Sequence, residues 1–251
     1  MGGKLHIIGR NCLSSLSKTL IWDLPIRIFH WAFAGALSAS FALAWVGEEQ
    51  GRLFQLHIMC GLVAAFLLVL RIVLGLVGSR YARWTDFPLS PAAIVRYFTG
   101  ILTGAAGKYA GHNPGSALVS GAMFALVPLL VFTGIGRGGE AFEDVHAGLA
   151  YGLLGLIGLH LLGLAIHTVR HRENISAAMV TGRKAAPPEA ALKSAHPIWG
   201  LVFLLVAVAW TGALFANLDS RAAIVRLPLF GLVIQLGEND TGWNHLRHDH
   251  D

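Results

Sequence analysis

Five histidines lie in or at the ends of apolar stretches of this chain: His30, His57, His146, His160 and His167. An imidazole is costly in hydrocarbon and usually has a function there. One alone reads equally well as a satisfied interfacial side chain, so the information lies in their joint placement. His146 and His160 are fourteen residues apart in one apolar run. On an α-helix that separation leaves the two side chains within about 40° of one face and about 21 Å apart along the axis. One helix therefore offers an imidazole towards each of its ends.

Each of these needs a partner at its own depth. His57 stands near the end of its run that is level with His146. His30 stands nine residues from the other end of its helix, if that helix starts near Ile21, and His160 stands nine residues from Val169. Two level pairs result, His57 with His146 and His30 with His160. Facing neutral imidazoles suit haem iron, and an iron with both axial positions filled passes electrons rather than binding O₂. The spacing predicts two b-type haems. Small residues on the same faces, Ala34, Gly61 and Gly163, would let a porphyrin lie close, though they also serve plain helix packing.

The elements that must carry these histidines are apolar spans. Of 251 residues, 55% are hydrophobic and only 13% charged, with mean hydropathy +0.60. That charge content is about half the ~25% of an average soluble chain. It excludes an ordinary soluble enzyme and a disordered chain, and predicts an all-α, polytopic membrane protein. Five uncharged runs approach or cross a bilayer core: Ile28–Gly47, Leu53–Leu70, Tyr109–Gly136, Val145–Val169 and Ser194–Leu218. The second is expected to continue past Arg71 to Val77, with the arginine reaching back to the headgroups. Pro128 is expected to kink the third. A sixth run, Leu227–Gly237, suits an interfacial or re-entrant segment better than a span. Cys12 and Cys60 form no C-x-x-C-H motif and fall at opposite sides, which excludes covalent haem attachment and disfavours a disulfide.

Lys and Arg concentrate in the segments that are inside if the N-terminus is inside, while the opposite loops hold only Arg52 and Arg137 beside five acidic residues. The positive-inside rule then places the N-terminus in the cytoplasm and the tail on the outer side of the membrane. The net charge of +5 accordingly reads as topology and contact with membrane lipids, with no nucleic acid as partner. Residues 1–20 contain no apolar core of a signal peptide and read as a cytoplasmic lead-in.

The chain resembles the bacterial di-haem cytochrome b561 family, which shares a four-helix core with the cytochrome b subunits of nickel-iron hydrogenases and formate dehydrogenases. The resemblance rests on Asp23-Leu-Pro-Ile-Arg-Ile-Phe-His30-Trp, His57-Ile-Met-Cys-Gly61, Gly111-His-Asn-Pro-Gly115, the His146 to His160 stretch, and Glu173-Asn-Ile-Ser-Ala-Ala-Met179 with Gly182. It implies an outer haem held by the second and fourth spans and an inner haem held by the first and fourth, the pairs already reached. It also implies electron transfer between a redox protein and membrane quinone. In formate dehydrogenase relatives an asparagine before the third helix lines a quinone site, which nominates Asn113 with His112; the alternative is a turn that simply opens that helix. Arg27 and Arg71 either hold haem propionates or anchor inner helix ends. His167 is an alternative ligand, a proton-transfer group or an interfacial side chain.

The expected organisation is a lead-in (1–20), a four-helix di-haem domain (21–184), a cytoplasmic linker (185–195), a fifth span (196–218) and a periplasmic tail (219–251). The tail ends in His245, His248 and His250 among aspartates, either a weak metal site or a polar terminus. The functional expectation is a membrane wire between the quinone pool and a periplasmic c-type cytochrome or redox enzyme. Its rivals are an obligatory cytochrome b anchor subunit and, from another class, a histidine-based proton or metal transporter. The spans contain no acidic residue, which counts against the transporter.

Overall fold

The computed structural model describes residues 7–8, 16–47, 51–104, 107–136 and 139–237. Cys12 and the tail histidines lie outside these residues. Five helices are long and apolar enough to cross a membrane: α1 (Leu24–Val46), α2 (Arg52–Val77), α4 (Pro114–Ile135), α5 (Glu140–His171) and α7 (Pro197–Ala216). Two shorter helices are α3 (Pro91–Thr103) and α6 (Ala178–Thr181).

Local chemistry sets the helix ends. α1 begins at Leu24, three residues after the expected start near Ile21, because the Asp23 carboxylate accepts the Ile26 N–H at 3.0 Å and Pro25 occupies the first turn. α2 continues through Arg71 to Val77, and α4 runs unbroken through Pro128. α4 opens with a reciprocal cap: the Asn113 side-chain oxygen accepts the Ser116 N–H at 2.8 Å while Ser116 Oγ accepts the Asn113 N–H at 3.1 Å.

α1 packs along α2, and α4 along α5; α2 against α4 joins the two hairpins. Among the described residues, α5 has no comparable packing on α1 or α2. A core of Phe29, Phe33, Ala64, Leu67, Leu68, Val127, Leu153, Phe203 and Ala207 fills the middle of the bundle. Phe203 and Ala207 come from α7, which lies on α1 and α2. A Cβ added at Gly200 would overlap Leu24, so α7 and α1 start at the same level and run parallel.

Three small sheets close the ends. β2 (Ser17–Leu20) pairs antiparallel with β4 (Arg183–Ala186), and the Thr19 hydroxyl donates to the Ala186 carbonyl at 2.9 Å. The end of the expected lead-in and the start of the expected linker are thus ordered together, with Gly182 at φ 77° turning the chain from α6 into β4. β1 (Ile7–Ile8) pairs with β3 (Lys108–Tyr109). After α7, strands β5 (Leu218–Asp219), β6 (Ile224–Arg226) and β7 (Val233–Gln235) form a three-stranded antiparallel sheet. The sixth apolar run therefore becomes a hairpin tip and its returning strand, with Val225, Ile234 and Leu236 packed on Met59, Leu62 and Leu214.

Candidate functional site

The two hairpins bring His57 on α2 and His146 on α5 together, with ring centres 6.1 Å apart and planes at 82°. Both rings are held by their Nδ1 atoms. His57 Nδ1 donates to the Ser40 carbonyl at 2.8 Å and has Ser40 Oγ at 3.0 Å. His146 Nδ1 donates to the Leu130 carbonyl at 3.0 Å and has Thr133 Oγ1 at 3.2 Å. A carbonyl can only accept, so each Nδ1 carries a proton, and Nε2 is the ring nitrogen left for a metal. Gly134 makes this fit possible, because a Cβ there would lie 2.9 Å from His146 Cε1.

At the other end, His30 on α1 and His160 on α5 are near enough for charge on one to act on the other. Both also act on His112, which precedes α4. His112 packs between Trp22 and Phe87, with ring centres at 4.8 Å and 4.5 Å. Burial there pushes its imidazole down to about 3, with Arg71, Lys184, His160 and His30 adding to the effect, so it is neutral at physiological pH.

Arg71 does not reach for the headgroups as expected. It is 3% exposed, its guanidinium 4.2 Å from the Trp84 ring centre and ringed further by Phe29, Phe87 and Phe124. The segment after α2 folds back and supplies Trp84 and Phe87, and Gly75 leaves room for the indole. Its Nη1 is buried without a hydrogen-bond partner. Arg27 donates to the Val180 carbonyl, which ties α1 to α6.

His167 lies 3.9 Å from the Glu173 carboxylate, which also accepts the Ala185 N–H at 2.9 Å. These two contacts, with Lys184 and Lys108 nearby, outweigh burial and hold Glu173 down at about 2. Lys184 is buried and donates to the Tyr109 carbonyl at 2.8 Å; burial pulls its ammonium down to about 8.

A family model described as prokaryotic cytochrome b561 matches residues 21–182. The chain belongs to that family. It is a membrane b-type cytochrome whose cofactor is haem b and whose work is electron transfer. No curated protein and no solved structure matches the chain.

The residues of this cytochrome fit haem. His57 and His146 would hold a haem iron between them: two imidazole–metal bonds of about 2 Å would need ring centres about 6 Å apart, and they stand 6.1 Å apart. A Cβ at Gly61 or Gly163, one turn beyond His57 and His160, would meet nothing within 4 Å, so open space flanks those histidine-bearing faces. The unpartnered Nη1 of Arg71 suits an anionic group such as a propionate. Sequence reasoning missed Ser40, Thr133 and Gly134. Their only signal is the register between neighbouring helices, which no local pattern encodes.

Proposed function

We propose that this cytochrome holds two haem b groups, one between His57 and His146 and one between His30 and His160. Through them it carries electrons between the quinone pool and a periplasmic redox partner, a c-type cytochrome or a redox enzyme. The observation that carries the reading is the His57–His146 pair, with ring centres 6.1 Å apart and both Nδ1 protons directed at main-chain carbonyls. Bound haem would supply a one-electron iron couple. The chain does the rest. Ser40 and Leu130 fix the tautomer and the ring plane of the first pair. Arg71, in its aromatic cage, offers a fixed positive charge on the His30 side of the bundle.

The N-terminus is assigned to the cytoplasm, with the His30/His160 pair on that side. Supporting this, Arg80, Arg83, Arg96, Lys108, Arg170, Arg183 and Lys184 all belong to segments at that end. Quinone is assigned to the same end, beside His112 and Asn113. Neutral His112 can donate one hydrogen bond and accept another. The Asn113 oxygen is committed to the α4 cap, so its role towards quinone falls to the amide group.

A second reading, an obligatory cytochrome b subunit of a larger enzyme, is favoured by the sheet beyond the family match. Its hairpin tip exposes Leu229 (91%) and Phe230 (71%), an apolar surface suited to a partner.

The deciding experiment is a dithionite-reduced minus oxidised visible spectrum of the purified protein, with non-covalent haem counted per chain. Two low-spin b haems are expected. One haem would break one of the two pairs, and a protein still colourless after haem supplementation would end the cytochrome wire.

A further inference from the structure

The two histidine pairs are built differently, and the difference lies in the carbonyl and hydroxyl oxygens around their rings. Each Nδ1–H of the His57/His146 pair faces two oxygens. The first is a main-chain carbonyl; the second is Ser40 Oγ at 3.0 Å or Thr133 Oγ1 at 3.2 Å. Neither hydroxyl can offer its own proton to the ring, because that proton is already engaged. Ser40 Oγ donates to the His57 carbonyl at 3.2 Å, and Thr133 Oγ1 donates to the Leu129 carbonyl at 2.8 Å. Each oxygen therefore turns a lone pair towards the ring N–H. Two acceptors on one N–H draw its proton outwards and leave more electron density on the ring, which makes Nε2 a stronger donor to a metal. Among the described residues, no hydrogen bond reaches the ring of His30 or His160; His30 meets only the edge of Trp31, with ring centres 5.2 Å apart.

We propose that Ser40 and Thr133 are positioning residues that hold the potential of the His57/His146 haem below that of the His30/His160 haem. Stronger donation favours ferric over ferrous iron, and hydrogen bonding around the ligands is one of the levers by which a protein sets a haem potential. Electrons run from lower to higher potential, so the bias of the pair is from His57/His146 towards His30/His160. With the orientation proposed above, that is inwards, towards quinone reduction. The inference rests on the two-haem reading. It adds a direction that ligand spacing alone does not contain.

The test is a potentiometric titration of the purified holoprotein, followed in the visible bands, with haem counted in every sample. The unaltered protein is expected to give two one-electron waves. Ser40→Ala and Thr133→Val should each raise the same wave, the lower one, by about a tenfold change in the ferric-to-ferrous ratio, or about 59 mV for one electron. The upper wave should stay in place. Ser40→Thr and Thr133→Ser keep the hydroxyl and should leave both waves where they were. Because the two residues sit on different helices and address different histidines, movement of one shared wave is the telling result. The inference is overturned if the substitutions move different waves, move the upper wave, or move neither. It is equally overturned if both lose the haem, since the hydroxyls would then retain the cofactor rather than tune it. If one variant loses haem, the other decides. A single haem in the unaltered protein would instead overturn the two-haem reading.

Discussion

Gly134→Ala adds one methyl group, yet it should selectively empty one haem site. The new carbon would lie 2.9 Å from His146 Cε1 and 3.1 Å from Nδ1, whereas ordinary contact begins at 3.4 Å. The ring must retreat by about 0.5 Å, which carries the bond from Nδ1 to the Leu130 carbonyl from 3.0 Å towards the limit of a hydrogen bond. Leaving a buried polar group unpaired costs about 1–3 kcal/mol. Loss of a ligand's outer partner typically weakens metal binding by about 10–100-fold, a range consistent with that cost. Haem retention at His57/His146 should fall by that factor while the other site stays loaded. The assay is haem per chain, with the rate of loss to a haem-scavenging protein. Gly212→Ala in α7 is the control: a Cβ there meets nothing within 4 Å, and the same change in an open helix should gain about 0.5–1 kcal/mol. Two haems retained at an unchanged rate in Gly134→Ala would refute the view that close packing on α4 sets the His146 ring.

Asn113→Asp preserves the cap of α4 and should keep thermal stability, while Asn113→Ala should lose about 1 kcal/mol; both should slow quinone-dependent haem reoxidation if the amide serves quinone, and unchanged rates in the Asp variant would remove Asn113 from that site. Glu173 is held below its unfolded value, so its contribution to stability is present above about pH 4.5 and lost as pH falls towards 2. Thermal unfolding of Glu173→Gln should show a flatter acid limb across that window. Lys184, also lowered, acts in the opposite sense: its burial penalty is full below about pH 8 and is relieved as pH rises towards 10.5. The alkaline rise in stability this produces should disappear in Lys184→Met. Phe203→Ala, which opens a hole between α7 and the Phe29/Phe33 core, should destabilise the bundle by on the order of 3 kcal/mol in denaturant unfolding.

The spans and the histidine levels were legible because both follow from one-dimensional spacing. An uncharged run gives the helix, and fourteen residues give one face. What stayed hidden depends on partners distant in the chain. Ser40 reaches His57 only through the register of the α1–α2 hairpin, and the β2–β4 ladder joins segments far apart in sequence. Arg71 looked like an anchor because its cage is completed by Trp84 and Phe87, beyond the end of its own helix. Helix α3 leaves no long uncharged run in the sequence, because Arg96 interrupts its apolar stripe of Val95, Phe98 and Leu102.

Helix α5 packs chiefly along α4 and reaches the shared core with Leu153, which has a consequence for how the protein matures. Each histidine pair draws one member from α5 and the other from the α1–α2 hairpin. Coordinate bonds would therefore staple α5 to the first hairpin at two heights, one on either side of buried Leu153. A ligand that binds only the assembled state stabilises it by mass action, about 4 kcal/mol at a thousandfold excess over its dissociation constant, and would do so at each pair it fills. Cofactor supply then acts as an assembly checkpoint. Chains made in a haem-starved cell would keep α5 loosely attached and open to proteolysis, so the protein's abundance would track haem synthesis without any dedicated regulator.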